Sequence, residues 1–378
     1  VKRKRVVFRA EILTHYRVAF HERVRDLLHQ HEVDYVLRVG TPRGDEIAKM
    51  DTVELPWTQR MRSYAIGSRG KLLWQSGLSD LTADLLIVGQ ENRILSNYPL
   101  QALRRLLTAK VAYFGHGRNF QSRNPNSRAE RWKRFWAGKV DWWFAYTHQT
   151  KSHLIDLGYP PDQITVFENS VDTAEVRTLS AGLSASDVDR IRSEFDLNGR
   201  NIGIFVGGLY EDKRLDFLID AAKRIRAGVR DFELVIVGGG PELARLKRLA
   251  EGNDWIKIVG PRFGAEKVGL MSLGQIFLMP GLVGLAILDA ATMGLPTITT
   301  DFPYHSPEIA YLEDGVNGMI VPDWQDPAAY AAAVIDLLRD QGGLASMQDE
   351  ARKLADRYSI EAMAERFANG VLEALARP

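Results

Sequence analysis

The sequence predicts an α/β protein of two domains in series, each a mostly parallel sheet wound with helices. Three observations carry that expectation. Apolar runs of strand length alternate with amphipathic helical patterns along the chain, and the alternation restarts near Ile202. The length of 378 residues also exceeds one ordinary core, so two domains of roughly 170 to 190 residues are the natural division.

In the first half, short runs of β-branched, leucine and aromatic residues predict strands at Arg5–Arg9, Asp34–Val39, Leu85–Val88, Val111–Phe114, Trp142–Ala145 and Ile164–Phe167. Helical periodicity predicts helices at Tyr16–His31, Pro99–Leu107, Ser127–Trp136 and Thr147–Leu157. In the second half, strands are expected at Ile202–Val206, Leu234–Val237, Ile256–Val259, Ile276–Met279, Thr297–Thr300 and Met319–Val321. Helices are expected at Arg214–Ala227, Pro241–Glu251, Glu266–Met271, Ala286–Met293, Pro327–Arg339 and Ile360–Ala376. The linker is expected over Glu168–Leu179, dividing the chain into 1–172, 173–359 and a closing segment 360–378. Two Rossmann-like units of this kind place ligands at the carboxyl ends of their strands, hence in a cleft between facing sheets. No repeat or low-complexity segment interrupts the pattern.

Composition narrows the function. Hydrophobic content of 45% with 26% charged residues is that of a soluble globular protein. A net charge of +1 gives no global field for nucleic acid, so no nucleic-acid partner is expected. The absence of cysteine excludes disulfides, thiolate nucleophiles and cysteine-held metals. No apolar run reaches the length of a bilayer span, and the basic opening Val1–Arg5 leads into a strand rather than a signal-peptide core. The reading is of a cytosolic protein, with peripheral contact to a membrane surface left open.

Two turns in the second half carry the chemistry. Pro280-Gly281-Leu282-Val283-Gly284-Leu285 joins an apolar strand to a helix through small residues. Such a turn leaves backbone N–H groups at the positive end of a helix dipole, a seat for phosphate. Gly207-Gly208-Leu209-Tyr210-Glu211-Asp212-Lys213-Arg214 follows the first strand of the second domain. Its glycines let the backbone approach a ligand, and Lys213 can hold a diphosphate. Gly238-Gly239-Gly240 follows the next strand and serves its turn.

These segments resemble the retaining glycosyltransferases of family four, a GT-B fold. The match is specific from about Asn201 to Val321 and loose before it. The family pattern Pro-Ser-x-x-Glu-Gly-Phe-Gly with a later second Glu aligns its first Glu with Gly281 and its second with Asp289, making this chain a divergent member. The resemblance implies a nucleotide-diphosphate sugar donor, transfer to an acceptor hydroxyl with retention, and an acceptor domain at 1–172. The donor domain would be 173–359, and the closing helix would cross back to the first domain. It implies no metal and no separate cofactor.

Residue by residue, Lys213 matches the lysine that braces the leaving diphosphate, while Gly208 stands where the family has arginine. Arg214 either supplies that charge or lies on a solvated helix face. Asp289 would hold the ribose hydroxyls or merely complement the helix dipole. The backbone of Val283, Gly284 and Leu285 would be open to phosphate or sugar, and Arg262 would meet the base or a phosphate, or be structural. Glu308 matches the Glu of a later turn, and the adjacent His305 either replaces the lost Glu or is incidental. His116, between Gly115 and Gly117, matches a sugar-contacting histidine, with a structural histidine as the alternative. After the first strand, Tyr16 and Arg17 stand where acceptor contacts are expected. Asp187-Val188-Asp189 resembles a metal-binding Asp-x-Asp but reads as helix capping.

One stretch is set apart by charge. Arg118 to Trp143 holds seven basic residues against Glu130 and Asp141 and four of the eight tryptophans. Ser127 and Glu130 form a capping box, and Trp132, Phe135 and Trp136 share a helical face. That face either rests on an anionic leaflet, bringing a lipid-linked or saccharide acceptor within reach, or buries against the sheet. The expected function is a metal-independent hexosyltransferase of cell-surface glycan or polysaccharide biosynthesis. A non-catalytic sugar or nucleotide binder that supports an active transferase is the alternative.

Overall fold

The computed structural model describes residues 3–42, 52–67, 71–120, 122–124 and 126–377. Val1 and Lys2 of the basic opening lie outside the described residues. The chain divides into two compact units, Val1–Asp172 with Ile360–Pro378, and Thr173–Ser359.

The first unit is built on strands β1 (Lys4–Ala10), β2 (Val33–Val39), β3 (Gln59–Arg60), β6 (Leu85–Gly89), β7 (Lys110–Gly115), β8 (Trp142–Ala145) and β9 (Ile164–Val166). They form one parallel sheet in the order β3-β2-β1-β6-β7-β8-β9. Its central strands are apolar on both faces: Val6, Val7, Leu85, Leu86, Ile87, Val88, Val111 and Ala112 are fully buried, as a sheet covered on two sides requires. The helix Ile360–Ala376 belongs to this unit. Its Phe367 ring packs against Phe8, Phe20, Phe114, Phe144 and Phe167.

A separate antiparallel hairpin, β4 (Ser63–Ile66) with β5 (Leu72–Gln75), is joined to this unit. Its short strands expose much of their apolar surface, so they lack the buried alternation that marks a strand in sequence.

The second unit carries β10 (Asn201–Val206), β11 (Phe232–Val237), β12 (Ile256–Gly260), β13 (Ile276–Leu278), β14 (Thr297–Thr300) and β15 (Gly318–Val321). The order is β12-β11-β10-β13-β14-β15, again all parallel. Two such parallel sheets wound with helices are the GT-B fold. In each, the strand order reverses once, between β1 and β6 and between β10 and β13. Such a reversal opens a crevice at the carboxyl ends of the two strands, where open α/β sheets hold their ligands.

Two segments differ from the sequence reading, and a third, at Asp187, caps a helix as expected. Thr173–Ala181 is a helix, so the expected linker over Glu168–Leu179 is largely ordered secondary structure. Asp187 lies in the first turn of the helix Ala185–Glu194, in a reciprocal capping box with Ser184. The Ser127–Glu130 box is only half formed. Ser127 caps the helix Arg128–Ala137 by accepting the Glu130 N–H, but the Glu130 carboxylate accepts the N–H of Asn119.

The four tryptophans of the basic stretch separate. Trp142 and Trp143 are buried in β8, donating to Thr165 Oγ1 and to the Ala137 carbonyl, each at 2.9 Å. Trp132 and Trp136 pack on Tyr98, yet Trp132 and Phe135 remain 47% and 58% exposed. The helix face is therefore neither buried against the sheet nor wholly free.

Candidate functional site

The two turns singled out in the second unit come together at the strand reversal. β10 and β13 are neighbours, so the residues after Val206 and after Leu278 emerge side by side. The Leu282 N–H donates to the Asp212 carbonyl at 2.8 Å, and the Lys213 ammonium donates to the Leu282 carbonyl. The Thr299 and Thr300 hydroxyls donate to the carbonyls of Met279 and Pro280, each at 2.7 Å, fixing the start of the second turn.

Lys213 is 5% exposed. Burial pulls its pKa down from 10.5 to about 8, with Asp212 opposing the shift. Its ammonium also lies 5.4 Å from the centre of the Tyr210 ring. A buried cation that satisfies one carbonyl has two further N–H donors, as an anion site requires.

Glycine is required at position 281 by close approach. A Cβ there would stand 2.2 Å from the Asp212 carbonyl oxygen and 2.6 Å from the Lys213 carbonyl carbon. No side chain fits, so this backbone path has no place for a carboxylate. Gly208 is crowded differently. A Cβ there would meet the Tyr210 ring at 2.9 Å, so Tyr210 covers the space a longer residue would enter. Gly238 and Gly240 press on this first turn: added Cβ atoms would lie 1.9 Å from the Gly207 oxygen and 2.4 Å from the Leu209 oxygen. Their role is packing beneath the turn.

The remaining donor-side residues have defined partners. Arg214 adopts φ 55°, ψ 49°, the left-handed region that favours glycine. Its guanidinium lies over the rings of Phe217 and Trp324 at 4.4 and 4.6 Å and donates to the Trp324 carbonyl. The guanidinium, for which the sequence offered a diphosphate contact or a solvated helix face, rests in an aromatic cradle. The N–H of Val283 is not open: it donates to His305 Nδ1 at 3.0 Å, while His305 Nε2 lies 2.9 Å from the Thr300 carbonyl. This fixes His305 as neutral with its proton on Nε2, and burial lowers its pKa further. With both nitrogens engaged, His305 clamps the turn and does not stand in for a missing glutamate. The Ser306 N–H donates to the Val283 carbonyl at 3.1 Å.

Asp289 accepts from Lys267 at 2.8 Å in a mostly buried ion pair near the start of the helix Ala286–Thr292. Gly284 and Leu285 lie just before that helix, Leu285 at its N-cap. Glu308 is 3% exposed at the start of the short helix Pro307–Tyr311. Arg262 lies 3.5 Å from Glu266 and donates to its neighbour Pro261, while the adjacent Phe263 is 79% exposed.

In the first unit, His116 follows β7 in a turn where Gly117 takes φ +76°. Burial, with the charges of Arg17 and Lys133, depresses its pKa to about 3, so the ring is neutral. It packs 4.0 Å from Tyr146, and its Nδ1 has no hydrogen-bond partner. A neutral imidazole carries one N–H donor and one acceptor nitrogen, and here the unmet Nδ1 is itself buried. Tyr16 is 42% exposed, but Arg17 is buried, with its guanidinium near Tyr16, Phe114 and Tyr146.

Sequence reasoning missed Tyr210, Lys267, Phe263 and the clamping role of His305. Phe263 had a signal, a large apolar residue just beyond a strand-ending Gly-Pro. The Lys267–Asp289 pair had none, because only the tertiary structure brings the two together.

The comparisons with known proteins meet this geometry. Residues 200–340, which hold both turns, match the family "Glycosyl transferases group 1". Over this segment the chain is similar to the group 1 glycosyltransferases. It is 30% identical over 185 residues to an alpha-D-kanosaminyltransferase of Streptomyces kanamyceticus, covering 47% of each chain. It is 31% identical to a D-inositol 3-phosphate glycosyltransferase of Corynebacterium urealyticum, over 45% of this chain and 42% of that one. The chain thus spans about half the length of these curated relatives. Among solved structures, Anabaena Alr3699/HepE in complex with UDP aligns over 98% of this chain and 99% of its own. The TM-score is 0.71 at 16% identity, a likeness of fold. Among the described residues, no grouping of acidic and histidine side chains could hold a metal ion.

Proposed function

We propose that this protein transfers a sugar from a nucleoside-diphosphate sugar to an acceptor hydroxyl with retention of anomeric configuration. The observation that carries the reading is Lys213, a buried cation at the β10–β13 reversal between two close-packed glycine turns. A site of that form suits a diphosphate, whose charge grows as the anomeric C–O bond breaks. Lys213 would stabilise the departing phosphate oxygen. Gly207 and Gly208 would line its approach, and Gly284 and Leu285 would face it with the start of the helix. Asp289, held by Lys267, would accept the ribose hydroxyls, and Glu308 would line the sugar side. Arg262 and the exposed Phe263 would receive the base. His116 would donate to a sugar hydroxyl, and the acceptor oxygen would attack on the face the phosphate leaves, passing its proton to the departing diphosphate. Arg17 would act by supporting Tyr16, the acceptor contact.

No metal takes part in this scheme, because the lysine and the turn amides meet the diphosphate charge. UDP is the first nucleotide to try, since the HepE structure was obtained with it. A hexosyl donor, a lipid-linked or saccharide acceptor in surface-glycan synthesis, and a cytoplasmic site at the inner membrane face complete the reading. Trp132 and Phe135 would provide peripheral contact. No helix of the described residues is long and apolar enough to cross a membrane.

A second reading, a non-catalytic sugar or nucleotide binder, draws on Gly281, where the backbone excludes a side chain. A thermal-shift screen with UDP, GDP, dTDP, ADP and CMP, with and without EDTA, followed by a nucleotide-release assay with the matching sugar donors, tests both. Binding with acceptor-dependent release supports transfer; binding without release with any donor or acceptor favours the second reading; no binding sinks both.

A further inference from the structure

The β4–β5 hairpin of the first unit presents an apolar face that the catalytic reading does not use. Tyr64 pairs across the strands with Trp74, and Ile66 with Leu72, so the four side chains share one face. They are 51%, 41%, 39% and 40% exposed in that order, while Leu73 and Gln75 on the opposite face are buried. Beside the hairpin lies a cavity of about 470 Å³, walled by Trp74, Leu81, Pro99, Leu100, Leu103 and Leu107. Leu103, in that wall, and Leu106 nearby are 51% and 83% exposed. Apolar side chains that run from an exposed strip into a cavity mark a binding site for an apolar partner.

We propose that this hairpin and cavity engage lipid: the face lies on a bilayer with anionic headgroups, and the cavity takes a hydrocarbon chain of one bilayer amphiphile. Charge selects the partner. The described residues 61–67 and 71–77 carry Arg62 and Lys71 and no carboxylate, the neighbouring Arg60 is paired with Glu54, and Arg105 adds an exposed cation beside Leu106. Tryptophan and tyrosine beside aliphatic residues and flanking cations are the composition of a membrane–water interface. Inside the cavity Arg9 brings no free charge, being paired with Asp80 and donating to the Gly77 carbonyl. Gln75 is 3% exposed, lines the cavity and keeps an Nε2 without a hydrogen-bond partner. An ester or ether oxygen of the lipid would supply that acceptor.

The surface also continues sideways. Leu73 exchanges backbone hydrogen bonds with Arg93 and Leu95, and the Asn92 side chain donates to the Ala129 carbonyl. Residues 92–98 therefore join the hairpin to the helix that carries Trp132 and Phe135. The proposal deepens the transferase reading by making its acceptor lipid-borne, and its test does not use transfer.

The experiment uses the full chain with phosphatidylcholine vesicles containing phosphatidylglycerol, read by sedimentation and by the blue shift of tryptophan emission. The double variant Tyr64→Ser/Trp74→Ser removes two exposed rings, Trp74 also bordering the cavity, and should lower vesicle partitioning about tenfold. Its circular dichroism should be unchanged. Saturable binding of the fluorescent fatty acid cis-parinaric acid reads the cavity and should be lost in Leu103→Glu. Vesicle binding unchanged in the hairpin variant overturns the surface, as does wild-type protein that ignores the vesicles. Fatty-acid binding that is absent, or insensitive to Leu103→Glu, overturns the cavity. Lipid binding without any nucleotide binding would remove the transferase reading and leave this one standing.

Discussion

Replacing Lys213 with methionine separates the charge at the site from the packing around it. Burial moves the lysine pKa from 10.5 to about 8, so keeping this amine charged near neutral pH costs roughly 3 kcal/mol. Against that stands the hydrogen bond to the Leu282 carbonyl; leaving a buried acceptor unpaired costs about 1–3 kcal/mol. The terms nearly cancel, and Lys213→Met should unfold within about 1 kcal/mol of the wild type. A bound diphosphate, by contrast, loses a charge-assisted partner of about 1.5–3 kcal/mol, a ten- to hundredfold loss of affinity.

The pH dependence adds a sign. Between about 8 and 10.5 the unfolded chain holds a proton on Lys213 that the folded chain has released. The burial penalty is therefore present in full below that window, and its contribution to wild-type stability rises with pH across it. Nucleotide affinity runs the other way, declining as the amine of the free protein loses its charge above about 8. The methionine variant should show neither slope. Urea unfolding and titration calorimetry with UDP, each at neutral and alkaline pH, read both quantities. A variant that binds UDP as the wild type does, or that loses more than about 3 kcal/mol of stability, would refute the reasoning.

Other substitutions probe the surrounding turns. Gly281→Glu should not create activity and should destabilise the protein by about 2–3 kcal/mol in urea, because backbone atoms occupy the space a Cβ needs. His305→Phe frees the Val283 N–H and the Thr300 carbonyl, for an expected loss of about 1–3 kcal/mol read by thermal unfolding. Asp289→Asn should weaken UDP binding about tenfold in calorimetry while UMP and uridine lose affinity in the same proportion, since the ribose contact is common to all three. A selective effect on UDP would instead place Asp289 by the phosphates.

The parallel sheets were legible because their strands are buried on both faces and read as continuous apolar runs, Leu85–Val88 and Ile276–Met279 among them. The hairpin strands gave no such signal, since the exposed Tyr64, Ile66, Leu72 and Trp74 are apolar while the buried Gln75 is polar. The helix Gln341–Arg357 was likewise not anticipated, although its buried Leu344, Met347, Ala351, Leu354 and Ala355 recur at helical spacing. At the candidate site, glycine turns and Lys213 could be found from local pattern, because a phosphate turn is a local object. What occupies the neighbouring space could not. Tyr210 over Gly208, Trp324 over Arg214 and His305 against Val283 are contacts made by folding, and they decide which donors remain open.

The helix Ile360–Ala376 completes the phenylalanine cluster of a unit whose other residues end at Asp172. During synthesis the first unit must therefore wait, its centre lacking Phe367, until all of the second unit has been made. The ribosome delivers Thr173–Ser359 as an uninterrupted stretch able to collapse on its own, so the later-born unit should mature first. Removing only this helix should thus release protease sensitivity in the first unit while leaving Thr173–Ser359 protected.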